Sequence, residues 1–262
     1  MNKAILIPVY NEVESVEKVV SEVLQNRPDD TLLILVNDGS NDGTESILQK
    51  LMSGTFCRDN HIHILNRSQN LGYGASLVEG FEYCLQSPGC LSILTMDCDE
   101  QHQPADIRRF FSVDESLLVV SASRYLDSEE RGISAPEDRQ KINQKITRTL
   151  VKIARAELGE EWLLTDAFCG MKRYARPFLE NFLRFYRGLN EDAKDGGYAF
   201  PLIVWRFFLF WLKREDLRIH DSFIELAIPR IYITDSRSFG EALDFPLARY
   251  KYYLKTLYAG IK

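Results

Sequence analysis

Residues 95–106 read TMDCDEQHQPAD. The run before them, Leu91 to Met96, is strand-like and uninterrupted, and it stops abruptly at Asp97. Asp99 follows, then Gln101, His102 and Pro104. Residues two apart on an extended chain point the same way. Asp97 and Asp99 at a strand end can therefore share a hard divalent cation. Magnesium or manganese takes oxygen ligands and keeps positions for water and phosphate oxygens. The competing reading is an exposed acidic turn. Cys98 reads as a small hydrophobe turned into packing, and His102 as a surface or capping residue rather than a ligand.

Moving outward, the same punctuation recurs. Ala4–Val9, Thr31–Val36, His61–Leu65, Leu91–Met96 and Leu117–Ala122 are short apolar runs, and helical patterns separate the earlier ones. Strands apolar throughout and alternating with helices predict an α/β fold with a parallel sheet covered on both faces, doubly wound to about residue 125. Residues 126–144 are polar and lead into a helix through about Leu158. The rest mixes helices with one strand near Phe223–Ile228 and reads as an acceptor-side region, 126–262, of one continuous domain.

In open α/β sheets ligands bind outside the carboxyl ends of the strands. The unusual residues gather there: Pro8, Tyr10, Asn11 and Glu12 after the first strand, and Asp38, Gly39 and Ser40 after the second. Asn70, Gly72 and Gly74 follow the third, Asp97 and Asp99 the fourth, and Ser123, Arg124 and Tyr125 the fifth. Each has a bland reading, and Asp38 taken alone is as readily a helix cap. Five such clusters on one rim make a site. Glycines at 72 and 74 allow a ligand close to the backbone.

Composition limits the alternatives. The 262 residues carry a net charge of −6, with 45% hydrophobic and 27% charged residues. Nucleic acid is a disfavoured partner on bulk electrostatics, and an anionic substrate needs local cations or a metal. The most apolar window, Phe200–Leu212, contains Arg206 and falls short of the ~20 residues that span a bilayer, so it reads as a core helix. No signal peptide is legible at the start. Five cysteines without a C-x-x-C pair fit a reducing cytoplasm. A dinucleotide-binding fingerprint and a P-loop are both missing from the positions they require.

IPVYNE, VNDGSNDGT, NLGYGAS, MDCDEQHQP and ASRY, in that order, together with TDAFCGMKRYAR further on, resemble the family 2 glycosyltransferases of GT-A fold. IELAIPRIYITDSRSFG is similar to the dolichyl- or polyprenyl-phosphate sugar synthase branch. The resemblance implies a GT-A fold and transfer of a sugar from a UDP- or GDP-sugar, with inversion, to a lipid phosphate or a sugar acceptor. Pro8, Tyr10, Glu12 and Asp38 would line the base and ribose pocket, with Gly72 beside it. Asp97 would lie by the diphosphate and sugar, and Asp99, with Gln101, would hold Mg2+ or Mn2+. Arg124 and Arg237 would contact phosphate, and Asp166 is the candidate general base, or equally a residue that caps or bonds backbone in the acceptor loop. Glu100 and Met171 depart from the family's pattern, Glu100 adding negative charge beside the metal. The implied location is cytoplasmic, peripheral at the inner membrane face.

A silent nucleotide-sugar-binding module and a sugar nucleotidyltransferase are the rival classes; the second lacks its glycine-rich loop after strand one. At the C-terminus, Leu247, Tyr250, Leu254, Leu257 and Ile261 recur as one helical seam. That seam predicts core packing, a homodimer contact or a membrane-docking helix.

Overall fold

The structure is a computed structural model that describes residues 1–52, 55–126, 130–132, 137–189, 197, 199–232 and 244–259. Five strands run in the predicted order: β1 (Lys3–Val9), β2 (Thr31–Asn37), β3 (Ile62–Asn66), β4 (Ser92–Thr95) and β5 (Val119–Ser123). Side chains alternate across the pleat, so Ala4 and Leu6 enter the core on one face while Ile5, Ile7 and Val9 enter the core on the other. Both faces are covered, which is why these strands are apolar at every position rather than at every second one.

Helices α1 (Val16–Asn26), α2 (Thr44–Met52), α3 (Phe56–Asp59) and α4 (Tyr73–Leu85) connect the first four strands. A short 3-10 turn, Pro104–Asp106, and α5 (Ile107–Ser112) lead to β5. Val16, Val19, Val20 and Val23 form the buried stripe of α1, as their three-and-four spacing requires. The chain continues through β6 (Glu130–Gly132), α6 (Glu137–Leu158), β7 (Lys172–Ala175), α7 (Arg176–Gly188), α8 (Phe200–Glu215), α9 (Ile219–Ser222), β8 (Phe223–Ala227), β9 (Arg230–Tyr232) and α10 (Pro246–Tyr258).

The main sheet has seven strands in the order β3-β2-β1-β4-β7-β5-β8. All neighbours are parallel except at β7, which runs antiparallel to both β4 and β5. The sequence reading anticipated β8 but not β7. Its residues, Lys-Arg-Tyr-Ala, look like a surface turn, yet Lys172 and Arg173 are both buried. Lys172 Nζ donates to the Cys169 carbonyl and lies 5.5 Å from the Trp205 ring. Arg173 donates to the carbonyls of Val113 and Asp114. Buried cations survive when so satisfied. β6 and β9 pair in parallel as a separate two-stranded ribbon.

The apolar window is a core helix, as expected: α8 buries Phe200, Trp205, Phe207 and Phe208. No helix among the described residues is long and apolar enough to cross a membrane. Part of the C-terminal seam packs as expected: Tyr250 and Leu254 lie half-buried against the core and Leu257 is enclosed. In α10 the buried residues are Arg249, Tyr253 and Leu257, and the helix packs on α6 and α8. Leu247 is 65% exposed whereas Leu257 is fully enclosed; Ile261 lies outside the described residues. Leu257→Ala should therefore cost about 2–5 kcal/mol of stability, and Leu247→Ala less than about 0.5. Chemical denaturation of the two variants checks the assignment, and equal losses would refute it.

Candidate active site

The rim at the carboxyl ends of β1 to β3 is a network in which each loop holds the next. After β1, Asn11 takes a left-handed backbone (φ +55°). Its N–H donates to Ser40 Oγ at 3.0 Å, and its own Oδ1 accepts from the Asn41 N–H at 2.9 Å. The Glu12 N–H donates to Thr44 Oγ1 at 2.8 Å, and Glu12 Oε2 accepts from Ser15 Oγ at the same distance. Asp42 accepts from the Thr44 N–H and hydroxyl and from the Val13 N–H. Burial would raise its pKa, but these bonds outweigh it and hold the carboxyl below its ordinary value. Tyr10 is exposed and Pro8 half-buried on this rim.

Asp38 is placed differently from a free pocket acid. Its Oδ1 accepts from Arg67 Nη1 and the Leu71 N–H, both at 2.9 Å, and Oδ2 accepts from the Gly72 N–H at 2.8 Å. Both carboxylate oxygens thus fix the glycine loop ahead of α4, where Gly72 sits at φ +97°. Arg67, which the sequence reading passed over, also binds Glu79, Ser76 and the Ala75 carbonyl. An arginine just past the third strand was the available signal. Gly39 must be glycine: at φ +70°, an added Cβ would lie 2.5 Å from the Gln69 carbonyl carbon.

At the end of β4, Asp97 is held from beneath. Its N–H donates to His102 Nδ1 at 2.9 Å, and His102 Nε2 lies 3.5 Å from Cys169 Sγ. His102 is almost wholly buried, so its reading as a surface residue is corrected: the ring is an internal prop. The Asp97 carboxylate, 3.7 Å from Nδ1, favours an imidazolium. The shorter backbone bond needs Nδ1 bare and fixes the neutral, Nε2–H ring. Cys98 is buried, as anticipated. Asp99 Oδ1 accepts from the Gln101 N–H at 3.1 Å. Glu100 takes φ +60° and pairs with Lys18 of α1, so its extra charge is matched by a cation.

The segment 165–170 closes the site from the other side. An added Cβ at Gly170 would lie 2.5 Å from Asp97 Oδ2, so the missing side chain there makes room for the Asp97 carboxylate. Thr95 Oγ1 donates to the Gly170 carbonyl at 2.6 Å. Gly170→Ala should displace a carboxylate that can rotate away, leaving the fold intact. The expected loss is about 10- to 100-fold in turnover, with the melting temperature little changed. Calorimetry beside a rate assay reads both, and an unaltered rate would remove Asp97 from the chemistry.

Arg124 and Asp166, both singled out in the sequence, form a bidentate pair. Arg124 Nε donates to Oδ2 at 2.7 Å and Nη2 to Oδ1 at 3.0 Å. Burial would raise the Asp166 carboxyl, but Arg124, with Lys172 beside it, holds it below the usual carboxylate range. The Arg139 guanidinium of α6 is pulled below its ordinary value by burial, with the charges of Arg124 and of Arg249 on α10 adding to that. Arg237 lies outside the described residues.

Asp97 Oδ1 is buried without a hydrogen bond among the described residues, although the buried Tyr73 phenol bears on the same carboxylate. Among the described residues no group of three His, Cys, Asp or Glu could hold a metal. Two rim carboxylates suit a cation that completes its shell with water and phosphate oxygens.

Seven strands in this order, with two acids after the central strand, place the candidate site at the carboxyl ends of the sheet. Residues 4–181 match the glycosyl transferase family 2 model, and the chain belongs to that family, a glycosyltransferase by class. It is 31% identical over 209 residues to a polyprenol monophosphomannose synthase of Mycolicibacterium smegmatis, covering 77% of this chain and 70% of that protein. An undecaprenyl-phosphate mannosyltransferase of Micrococcus luteus is 27% identical over 203 residues, or 75% and 73% of the two chains. The chain spans about half of a third relative, an undecaprenyl-phosphate 4-deoxy-4-formamido-L-arabinose transferase of Proteus mirabilis, at 25% identity over 69% of this chain. Glucosyl-3-phosphoglycerate synthase from Mycobacterium tuberculosis, solved with Mn2+, UDP and glucosyl-3-phosphoglycerate, superposes with a TM-score of 0.63 at 16% identity. That match covers 98% of this chain and 79% of the other, and it places the fold in the GT-A class.

Proposed function

We propose that this chain transfers a sugar, with inversion, from a nucleoside-diphosphate sugar to a polyprenyl phosphate, at a site where Asp97 and Asp99 hold a divalent cation. The observation that carries the choice of acceptor is the state of Asp166. A hydroxyl acceptor needs a general base poised near the working pH. Asp166 is buried, locked to Arg124 and held as a low-pKa carboxylate, which makes it a weak base. A phosphate monoester is already an anion and needs no deprotonation.

The arginines fit that acceptor. Arg124 and Arg249 both lie within electrostatic reach of Arg139, in a chain whose overall charge is negative. Such a cluster favours a phosphate over a neutral sugar. The names of the relatives, which specify polyprenol and undecaprenyl phosphate, support the same reading. A bound magnesium or manganese would neutralise charge developing on the leaving diphosphate. The chain's own residues orient the donor through the loops fixed by Asp38 and Glu12, and hold Asp97 against Gly170. We place the activity at the cytoplasmic face of a membrane, where a lipid phosphate presents its headgroup.

The test is an assay of UDP- and GDP-sugars with manganese against undecaprenyl phosphate, dolichyl phosphate and free sugar acceptors, with products read by mass spectrometry. A glycosyl phospholipid is the expected product. Transfer to free sugars alone would sink the lipid-phosphate assignment and return the hydroxyl-acceptor reading.

A further inference from the structure

Glu225, in the middle of the edge strand β8, is an acid among apolar neighbours, and no step of the proposed chemistry uses it. Both of its oxygens are engaged by one turn. Oε2 accepts from the Thr165 N–H at 2.8 Å and from the Thr165 hydroxyl at 2.7 Å, while Oε1 accepts from the Asp166 N–H at 3.0 Å. Since the Thr165 hydroxyl donates to Glu225, it must accept from the Ser123 hydroxyl, 2.5 Å away. Ser123 Oγ in turn accepts from the Tyr125 N–H at 3.0 Å. A relay of one polarity thus runs from the backbone beside Arg124 to the Glu225 carboxylate. A second route leads there through Asp166, which takes the Arg124 guanidinium in bidentate fashion and its N–H at 3.3 Å.

We propose that Glu225 is a positioning residue, which aligns the Arg124 guanidinium through the Thr165–Asp166 turn. The inference rests on the assignment of Arg124 to the site in the proposed function. An acid is needed because three donors converge on it. A glutamine would keep one acceptor oxygen and turn an N–H2 group against N–H donors, leaving buried groups unsatisfied. The acid is retained at a cost: burial, opposed by these bonds and assisted by the Asp166 charge, pushes its carboxyl up to about 7. A side chain needed only to fill space on an edge strand would not carry that cost.

The direct readout is the Arg124 Nε–H resonance in 15N-labelled protein, assigned by its loss in Arg124→Gln. In the wild type it should be a slowly exchanging signal, because Nε donates to a buried carboxylate. In Glu225→Gln it should broaden or move to the range of solvent-exposed arginines, with the protein still folded. An unchanged Arg124 signal in folded Glu225→Gln overturns the proposal. Should Glu225→Gln fail to fold, Thr165→Val removes only the hydroxyl relay, and the same signal decides. In the transfer assay with undecaprenyl phosphate, Glu225→Gln should lower kcat/KM for that acceptor by about 10- to 100-fold, the range of misplaced positioning groups. Manganese-dependent nucleotide affinity should change by less than about twofold, and Glu225→Gln should add nothing in the Arg124→Gln background. Additive losses overturn the positioning role while leaving the site assignment standing. An Arg124→Gln enzyme with wild-type transfer overturns the site assignment itself.

Discussion

Asp99→Ala is expected to reduce sugar transfer by about 10³-fold while the protein melts within a few degrees of wild type. Loss of a Lewis acid removes several kcal/mol of charge stabilisation, and each ~1.4 kcal/mol is tenfold in rate. The stability side follows from position. Asp99 is half-buried on a rim loop and accepts a hydrogen bond from the Gln101 N–H. Truncation of a half-buried rim residue costs the fold less than deletion of a core side chain. Manganese should also cease to raise nucleotide affinity, which calorimetric titration of UDP and GDP with and without the ion measures. A variant that turns over at the wild-type rate would place the cation elsewhere.

Asp166→Ala should be the most destabilising single change in the site. It strands Arg124, whose side chain is only 12% exposed, and breaking a buried ion pair from one side costs about 3–5 kcal/mol. For a chain of this length that is a drop of roughly 10 °C in melting temperature. The pair also sets a pH dependence. The folded carboxyl lies below its unfolded value, so the pair's stabilisation is present above the ordinary carboxylate range and is lost as pH falls through the depressed folded pKa. Wild type should therefore lose stability in acid, and Asp166→Asn should lose less over the same interval. Parallel acid profiles for the two proteins would mean that the pair is not ionised.

The rim was legible in the sequence because its cause is local. Apolar runs buried on both faces end where the chain meets solvent, and the polar residues after Val9, Met96 and Ser123 mark those ends. What escaped depends on tertiary partners. Arg173 reads as surface until the Val113 and Asp114 carbonyls receive it. His102 reads as a cap until the Asp97 N–H is found on its ring. Asp38 looks like a ligand for a nucleotide, and only the folded chain brings Arg67 and the Leu71 and Gly72 amides to it. The α10 pattern missed Arg249, which counts as polar in a sequence although packing on α6 and α8 buries it. Glu225 gave one signal, a lone acid in an apolar strand, but its partner turn lies some sixty residues earlier.

The antiparallel β7 has a consequence for synthesis. While the first half emerges from the ribosome, β4 and β5 each present an unpaired row of N–H and C=O groups, because the strand that separates them has not yet been made. Such edges recruit other chains, and pairings across long sequence separations form slowly. The nascent protein is therefore most prone to aggregate in the interval between Ser123 and Ala175, and slowing translation within that interval should lower the yield of soluble enzyme more than slowing it anywhere downstream.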